Sequence, residues 1–291
     1  MRKIWHNVFP VLVVVTAIMV LWYAFSVVLN KNWAYDKSTR GGYELSFSEL
    51  VADTWTQKKP HLPTPDQIVV EIWKTTVEKK VTSVRSLVRH GWITLSATLL
   101  GFVFGTCFGI ILAVGIVYNK AMNNSVMPWV IASQTIPILA LAPMIILLLN
   151  AGGITGIVPK ASIAAYLSFF PVVVGMVKGL RSPEAMMVDQ IHTWSANKMQ
   201  TFWKLRLPSS VPYLFPSLKV GIAASLVGAI VAELTLSQDG GLGARILQAN
   251  YVGATMLIWS ALIVAAALAA TLVALMGLAD RIVSKRMGFS R

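Results

Sequence analysis

Six stretches of the chain are apolar and nearly free of charged residues, and polar segments of unequal length separate them. Each stretch has 17 to 26 residues, close to the length that an α-helix needs to cross the hydrocarbon layer of a membrane. The pattern therefore predicts an all-α, polytopic membrane protein with six transmembrane helices. The predicted spans are Val8–Leu29, Ile93–Tyr118, Val126–Leu149, Ala161–Val177, Leu214–Leu236 and Ala254–Ala279.

The polar segments divide the chain into regions. Asn30–Pro60 shows no strong periodicity and is predicted to be a surface excursion, whereas LPTPDQIVVEIWKTTVEKK from Leu62 predicts an interfacial helix that leads into the second span. The predicted regions are an N-terminal transmembrane helix at 1–30, a periplasmic excursion with the interfacial helix at 31–89, a five-helix core at 90–280 and a basic cytoplasmic tail at 281–291.

Composition and charge narrow the class of protein. Only 13% of the 291 residues are charged, against about 25% in soluble domains, which excludes a water-soluble globule. The net charge of +13 does not indicate a nucleic-acid partner, because thirteen Lys or Arg lie on the side that holds the N-terminus. The short loops of the other side hold only Lys160 and Arg245, so we expect both termini to be cytoplasmic. The single Cys107 excludes an intrachain disulfide, and the scattered histidines indicate no metal site.

The 36-residue segment between the fourth and fifth spans, 178–213, contains no run that is apolar enough to cross a membrane. Its helical propensity predicts one or two short helices, the first of which starts at Pro183–Glu184. A second amphipathic helix, predicted to close at Leu207–Pro208, could present its apolar side to another protein, although charged loops are ordinarily solvated connectors. Four apolar residues share that side: Met199, Phe202, Trp203 and Leu207.

The third span is unusually polar and contains two prolines, so we predict a kinked backbone whose polar surface faces protein or water. It is the leading candidate to line a solute pathway, with helix packing as an equal alternative. Glu233, near the outer end of the fifth span, is an intramembrane acid and is interpreted as either a gate or a bracing contact. The candidate pathway or gate residues are Ser133, Gln134, Thr135, Pro137, Ser168 and Glu233.

Several motifs follow one another in a distinctive order. LPTPDQIV precedes the second span, QTIPILALAPMIILLLNAG lies in the third, and FWKLRLPSSVPYLFPSLKVG, AIVAEL and GGLG come later. Together with Asp189 at an acidic position, the segment from Glu184 through Glu233 resembles the EAA loop of permease subunits from ATP-binding-cassette (ABC) importers. The other motifs resemble the nitrate, sulfonate and taurine branch of that family. The resemblance covers nearly everything after Leu62.

The resemblance implies a fold of the ABC type I importer permease class and a bacterial inner-membrane location. It also implies partners: two cytoplasmic ATP-binding subunits, a second permease copy that forms a homodimer rather than a heterodimer, and a periplasmic solute-binding protein. No GxxxxGK[ST] occurs, so the chain is expected to bind no cofactor and not to be an enzyme, with ATP on the partner subunits. The residues implied at or beside the ATPase contact are Glu184, Asp189, His192, Trp194, Ser195, Lys198, Phe202, Leu207 and Pro208.

The chain departs from the family pattern at Ser195, where a Gly is usual, and this implies either a negative φ or a strained backbone. The GGLG segment is expected to be a helix-ending turn. The alternative function is a self-contained secondary transporter or channel, for which internal repeats or buried ionisable relays would be expected. A membrane-embedded enzyme would need a catalytic cluster, which is not apparent. Nitrate, taurine, alkanesulfonates and pyrimidine-type precursors all remain open as solutes.

Overall fold

The computed structural model describes residues 2–42, 44–236 and 239–288, with side chains from Phe9 onward, and every regular element in these ranges is helical. The last three residues of the predicted basic tail lie outside the described residues. The α-helices are α1 (Arg2–Gly41), α2 (Phe47–Thr56), α3 (Pro65–Trp73), α4 (Leu87–Tyr118), α5 (Lys120–Ala132), α6 (Ile138–Ala151), α7 (Ile157–Leu180), α8 (Ala185–Thr193), α9 (Lys198–Thr201), α10 (Leu207–Thr235), α11 (Leu242–Tyr251) and α12 (Thr255–Arg286).

Within the part of the chain that the structure describes, five helices are long and apolar enough to cross a membrane, and a sixth span is formed if one bent pair is counted. This bent pair, Lys120–Thr135 with Ile138–Ala151, turns by 105° at its break. The six predicted spans match this count when the bent pair is taken as the third span, whose predicted kink is a sharp break. Pro137 lies at the break, where it cannot continue the preceding helix. The five unbroken spans are Phe9–Gly41, Leu87–Tyr118, Ile157–Leu180, Lys198–Thr235 and Thr255–Arg286.

The helices form two compact units. The first contains Met1–Arg89 and Arg245–Val264, and the second contains His90–Ala244 and Ala265–Arg291. The residues implied at the ATPase contact, which we call the coupling residues, and the candidate pathway residues all belong to the second unit.

In the first unit, α1 continues for twelve residues beyond its predicted end at Leu29. The predicted helix end at Leu29 is therefore wrong, and α1 and α2 together occupy most of the segment that was predicted to be a surface excursion. The helix continues because small or polar side chains at four-residue intervals are buried along one side of α1, where α2 and α3 pack. These side chains are Ser26, Asn30, Ala34 and Ser38.

Asn30 joins α1 to the chain between α2 and α3. Its Oδ1 accepts hydrogen bonds from the backbone N–H of His61 at 2.8 Å and of Leu62 at 3.1 Å, and its Nδ2 donates to the Leu62 carbonyl at 2.9 Å. The Nε2 of Gln57 donates to the Asn30 carbonyl at 3.2 Å. Because the amide is fully buried and both of its ends are satisfied, it fixes where this connection lies on α1.

We expect Asn30→Ala to destabilise the first unit by about 3 kcal/mol, because buried N–H and carbonyl groups lose their partners. Limited proteolysis of the purified chain in detergent would detect this as faster cleavage between Gln57 and Thr64, together with a lower melting temperature. Asn32→Ala is the matched control, since Asn32 is exposed on the same helix. Equal cleavage rates in the two variants would contradict the assigned role of Asn30.

In the second unit, α4 and α10 both approach α7 at small residues. A Cβ atom added at Gly101 of α4 would lie 2.4 Å from the Cβ of Ala164, and one at Gly105 would lie 2.1 Å from the Oγ of Ser168. On α10, a Cβ at Gly228 would lie 2.7 Å from the Cα of Ala164. Close backbone approach at small residues is the usual way in which membrane helices associate.

The helix of the fifth span starts earlier than predicted. It runs from Lys198 through a π-helical turn at Phe202–Arg206 directly into α10, so the predicted helix end at Leu207–Pro208 is wrong. A regular helix would place the ring of Pro208 against the carbonyl four residues before it, and the wider π turn stands at that place. The predicted 178–213 loop is thus reduced to residues 181–197.

Candidate coupling surface and buried carboxylate cluster

The segment 181–197 contains one well-formed helix, α8, whose surroundings are largely exposed. Glu184 is the N-cap of α8, which agrees with the predicted helix start. Large apolar side chains on α8 and on the start of the next helix remain uncovered. The four most exposed are Met186 (78% exposed), Trp194 (70%), Met199 (65%) and Trp203 (60%), and Met187 is exposed to a lesser extent.

The predicted coupling residues fall into two groups. The exposed group lies on α8, the turn after it and the start of α9, and the half-buried group lies at the π turn and the start of α10. Phe202 and Leu207 belong to the second group and pack against a core cluster that includes Val173 and Met176 of α7. The predicted apolar side is therefore divided, with Met199 and Trp203 outward and Phe202 and Leu207 inward. The exposed group is Glu184, Asp189, His192, Trp194, Ser195 and Lys198; the half-buried group is Phe202, Leu207 and Pro208.

Ser195 ends α8 in a left-handed conformation with φ 56°. The N–H of Ala196 donates to the Ile191 carbonyl and that of Ser195 to the His192 carbonyl, at 3.2 and 2.9 Å. These are the two hydrogen bonds of a Schellman motif, in which Gly is the usual left-handed residue. Of the two alternatives that the sequence left open, the strained backbone is the one that the structure adopts.

Ser195→Gly is expected to stabilise the end of α8 by about 1 kcal/mol, because Gly adopts a positive φ without the Cβ penalty. Hydrogen exchange of the α8 amides would show slower opening. The control is Ser209→Gly in α10, where the same change removes a side chain from a regular helix and should destabilise by a similar amount. A decrease in α8 protection in the Ser195 variant would contradict the strain.

The fully buried carboxylate of Glu233 lies near the end of α10 and is held by hydrogen bonds from two other parts of the unit. The Thr94 hydroxyl of α4 lies 2.9 Å from each of its oxygens, and the Gly243 N–H donates to Oε2 at 2.9 Å. The Leu242 N–H in turn donates to the Thr94 Oγ1 at 2.9 Å. Glu233 and Thr94 therefore hold the start of α11 between α10 and α4.

The glycines of the GGLG segment make this contact sterically possible. Gly241 has φ +117°, and a Cβ there would lie 2.0 Å from the Glu233 carboxyl carbon; a Cβ at Gly243 would lie 2.4 Å from the Ile230 carbonyl. The expectation that GGLG ends a helix is wrong, since α11 begins at Leu242 within it. The backbone must approach the carboxylate closely, and only residues without a side chain permit this.

Two further polar side chains bind the same segment. The Nδ1 of His90, on α4, accepts a hydrogen bond from the Gly241 N–H at 3.0 Å, so this nitrogen carries no proton in the arrangement. The Nζ of Lys160, in the first turn of α7, donates to the Gly240 carbonyl at 3.0 Å and is almost completely buried. Lys160 therefore lies in the packed first turn of α7 and not, as predicted from the sequence, in a short loop. Sequence reasoning missed His90, Thr94 and Lys160 as members of this cluster.

The candidate pathway residues do not come together in one place. Gln134, Thr135 and Pro137 are exposed at the break between α5 and α6, whereas Ser168 and Glu233 are fully buried. The carbonyl of Ser133, beside the exposed three, accepts a 2.6 Å hydrogen bond from the Tyr166 hydroxyl of α7.

A surface cavity of about 480 Å³ lies along α7 and α10. Its walls are mainly apolar, and its polar lining residues are Ser217, Lys178 and Tyr213, with the Nζ of Lys178 5.6 Å from the centre of the Tyr213 ring. Pro171 of α7 lines it opposite Pro212 and Pro216 of α10. The residues around this cavity are further candidates to line a solute pathway.

Comparison with known proteins identifies relatives for most of the chain. The profile of the family described as "Binding-protein-dependent transport system inner membrane component" matches residues 105–289. The riboflavin transport system permease protein RibX of Chloroflexus aurantiacus is 31% identical over 221 residues, which cover 76% of this chain and 78% of that protein. The formylaminopyrimidine transport permease protein ThiX of Halalkalibacterium halodurans is 31% identical over 179 residues, covering 62% and 67%.

A more distant relative is the putative aliphatic sulfonates transport permease protein SsuC of Bacillus subtilis, at 24% identity over 203 residues and 70% coverage of both chains. Among solved structures, the inward-facing MetNI methionine ABC transporter matches with a TM-score of 0.56 and 22% identity. The match covers 70% of this chain and 96% of the transporter chain, and it establishes the fold.

Proposed function

The chain belongs to the family of binding-protein-dependent transport system inner membrane components, and we propose that α8 couples it to the ATP-binding subunits of an importer. It is an ABC importer permease subunit with several membrane-spanning helices. The finer proposal rests on one observation: α8 and the residues after it leave five large Met and Trp side chains exposed, four of them by 60% or more. An apolar surface of this kind at the end of membrane helices is suited to a protein partner.

The proposed docking surface consists of Met186, Trp194, Met199 and Trp203. Lys198 and Lys204 are exposed basic residues next in sequence to Met199 and Trp203, and Asp189 is an exposed acid on α8. We infer that the partner cleft is apolar at its centre and acidic at its rim. Met and Trp are well suited to such a centre, because Met adapts to irregular cavities and Trp contributes a large buried area.

We propose that Glu233 braces the second unit and does not act as a gate. Its carboxylate is satisfied by Thr94 and Gly243 and is fully buried. A residue that opens a pathway by reorienting would have to break these bonds inside an apolar region, at a cost of several kcal/mol in total. The exposed residues at the α5–α6 break, Gln134 and Thr135, remain the proposed pathway positions, together with the α7–α10 cavity.

The proposed assembly contains two copies of this chain, two ATP-binding subunits and a solute-binding protein. With six spans, the α8 segment lies between the fourth and fifth, on the same side of the membrane as both termini. If α8 docks on cytoplasmic ATPases, both termini are cytoplasmic, as the positive-inside distribution of Lys and Arg also predicts.

For the solute, we propose a small nitrogen heterocycle of the pyrimidine or flavin kind, ahead of nitrate, taurine or a sulfonate. The two relatives at 31% identity are named for such compounds, whereas the relative named for sulfonates is 24% identical. The α7–α10 cavity has mainly apolar walls, which suit an aromatic ring better than a small anion.

The function is tested in vesicles that contain this chain with and without ATP-binding subunits and a solute-binding protein of the same organism. We expect uptake of radiolabelled solute only when ATP and the ATP-binding subunits are present. Riboflavin, formylaminopyrimidine and an alkanesulfonate are compared as solutes. Equal uptake without any ATP-binding subunit would support the secondary transporter or channel instead.

A further inference from the structure

A long apolar groove lies between α1 and α2 in the first unit. Its volume is about 690 Å³, and one wall is the side of α2 that carries Phe47, Val51 and Trp55. The opposite wall is α1 from Thr16 to Val28. Nothing in this groove belongs to the coupling surface or the pathway, so its role is independent of the proposed transport function.

The groove has the length of one membrane leaflet. Thr16 and Val28 are twelve residues apart on α1, which corresponds to roughly 18 Å along the axis, compared with about 15 Å for half of the hydrocarbon layer. Thr16 lies near the middle of the apolar run Val8–Leu29, and Val28 lies at its end. The groove therefore extends from the bilayer centre to one boundary of the hydrocarbon.

The exposed walls of the groove are apolar, and its two polar lining residues do not change this. The Tyr23 hydroxyl donates to Asp66 Oδ1 at 2.9 Å, and Thr16 lies at the deep end. A peptide segment without helical structure would find no partners here for its N–H and carbonyl groups, whereas an acyl chain needs none. The groove is also continuous with the lipid-facing surface, since only 6% of the apolar part of α1 is buried.

Polar and aromatic groups follow the groove at its outer end. Beyond Leu29, the Nζ of Lys37 pairs with Asp53 Oδ1 at 2.6 Å and lies 5.7 Å from the centre of the Trp33 ring. Trp and Lys at this position are typical of the level of lipid headgroups. We propose that the α1–α2 groove binds one acyl chain of a glycerophospholipid, whose headgroup lies near Trp33 and Lys37.

The test counts phospholipids that remain on the protein. The full chain is extracted in mild detergent from vesicles of phosphatidylethanolamine and phosphatidylglycerol, and native mass spectrometry measures the retained lipid. We expect one phospholipid on most wild-type chains. Ala24→Trp fills the groove and should reduce the retained fraction at least fivefold, whereas Ile18→Trp places the same ring on the opposite, exposed side of α1, away from the groove lining.

A second measurement needs no variant, so it holds even if Ala24→Trp folds poorly. Phosphatidylethanolamine with a photoactivatable diazirine in its acyl chain should label α2 at Phe47 or Val51. Absence of label on α2, or equal lipid retention in the Ala24 and Ile18 variants, would overturn the proposal. A lipid-free dimer that Ala24→Trp dissociates would overturn it in favour of a second copy of this chain as the occupant.

Discussion

Trp194→Asp is expected to abolish ATP-coupled uptake while leaving the permease folded and inserted in the membrane. Trp194 is 70% exposed, at the end of α8, so its removal exposes no core. A central Trp at a protein interface contributes about 2 kcal/mol or more, which corresponds to roughly a thirtyfold weaker complex, and a buried Asp adds a desolvation cost. Co-purification with the ATP-binding subunit and uptake in vesicles would measure the two effects.

Two further variants make the test of Trp194 specific. Trp194→Phe keeps an aromatic ring and should retain most of the association. Leu207→Asp should behave differently from Trp194→Asp, because Leu207 packs against the core and its replacement lowers the amount of folded protein. Normal association and coupled uptake with Trp194→Asp would show that α8 does not dock through this residue.

Gly241→Ala is expected to destabilise the second unit by more than about 3 kcal/mol, although it adds only one methyl group. The new Cβ would overlap the Glu233 carboxylate, and a φ of +117° is unfavourable for any residue with a side chain. Relief of the overlap would displace the start of α11 and break the hydrogen bonds to Thr94 and Glu233. The melting temperature and the yield of folded protein in detergent would measure the loss.

Gly153→Ala separates the two causes. Gly153 also has a positive φ, +79°, but a Cβ there would have no atom within 4 Å. We expect it to cost about 1 kcal/mol, from backbone strain alone. Similar losses in both variants would mean that the segment around Gly241 can move away from Glu233, so that the cluster does not hold α11.

The apolar spans could be predicted from the sequence because a membrane requires long apolar helices, and this requirement is local. The end of α1 could not, because hydropathy falls after Leu29 while the helix is maintained by buried Asn30, Ala34 and Ser38. A four-residue spacing of small and polar residues was the available signal. In the same way, Pro208 indicated a helix end, but the π turn before it allows the helix to continue.

The buried carboxylate cluster could be predicted only in its separate parts. Glu233 and GGLG are each distinctive in the sequence, but their contact depends on Thr94, which is 139 residues away from Glu233. No periodicity within one helix reveals such a partner. The inward position of Phe202 and Leu207 could not be predicted either. A regular helix would place them on one side with Met199 and Trp203, but residues 202–206 form a π turn that changes this spacing.

The close approach of α4 and α10 to α7 also determines which motions are open to the permease. Where backbones meet at Gly101, Gly105 and Gly228, one helix cannot slide past the next without atomic overlap. We therefore expect α4, α7 and α10 to move together as one rigid group. If α8 docks on an ATP-binding subunit as proposed, a displacement of α8 would therefore move α7, which precedes it in the chain, and the packed helices α4 and α10 with it.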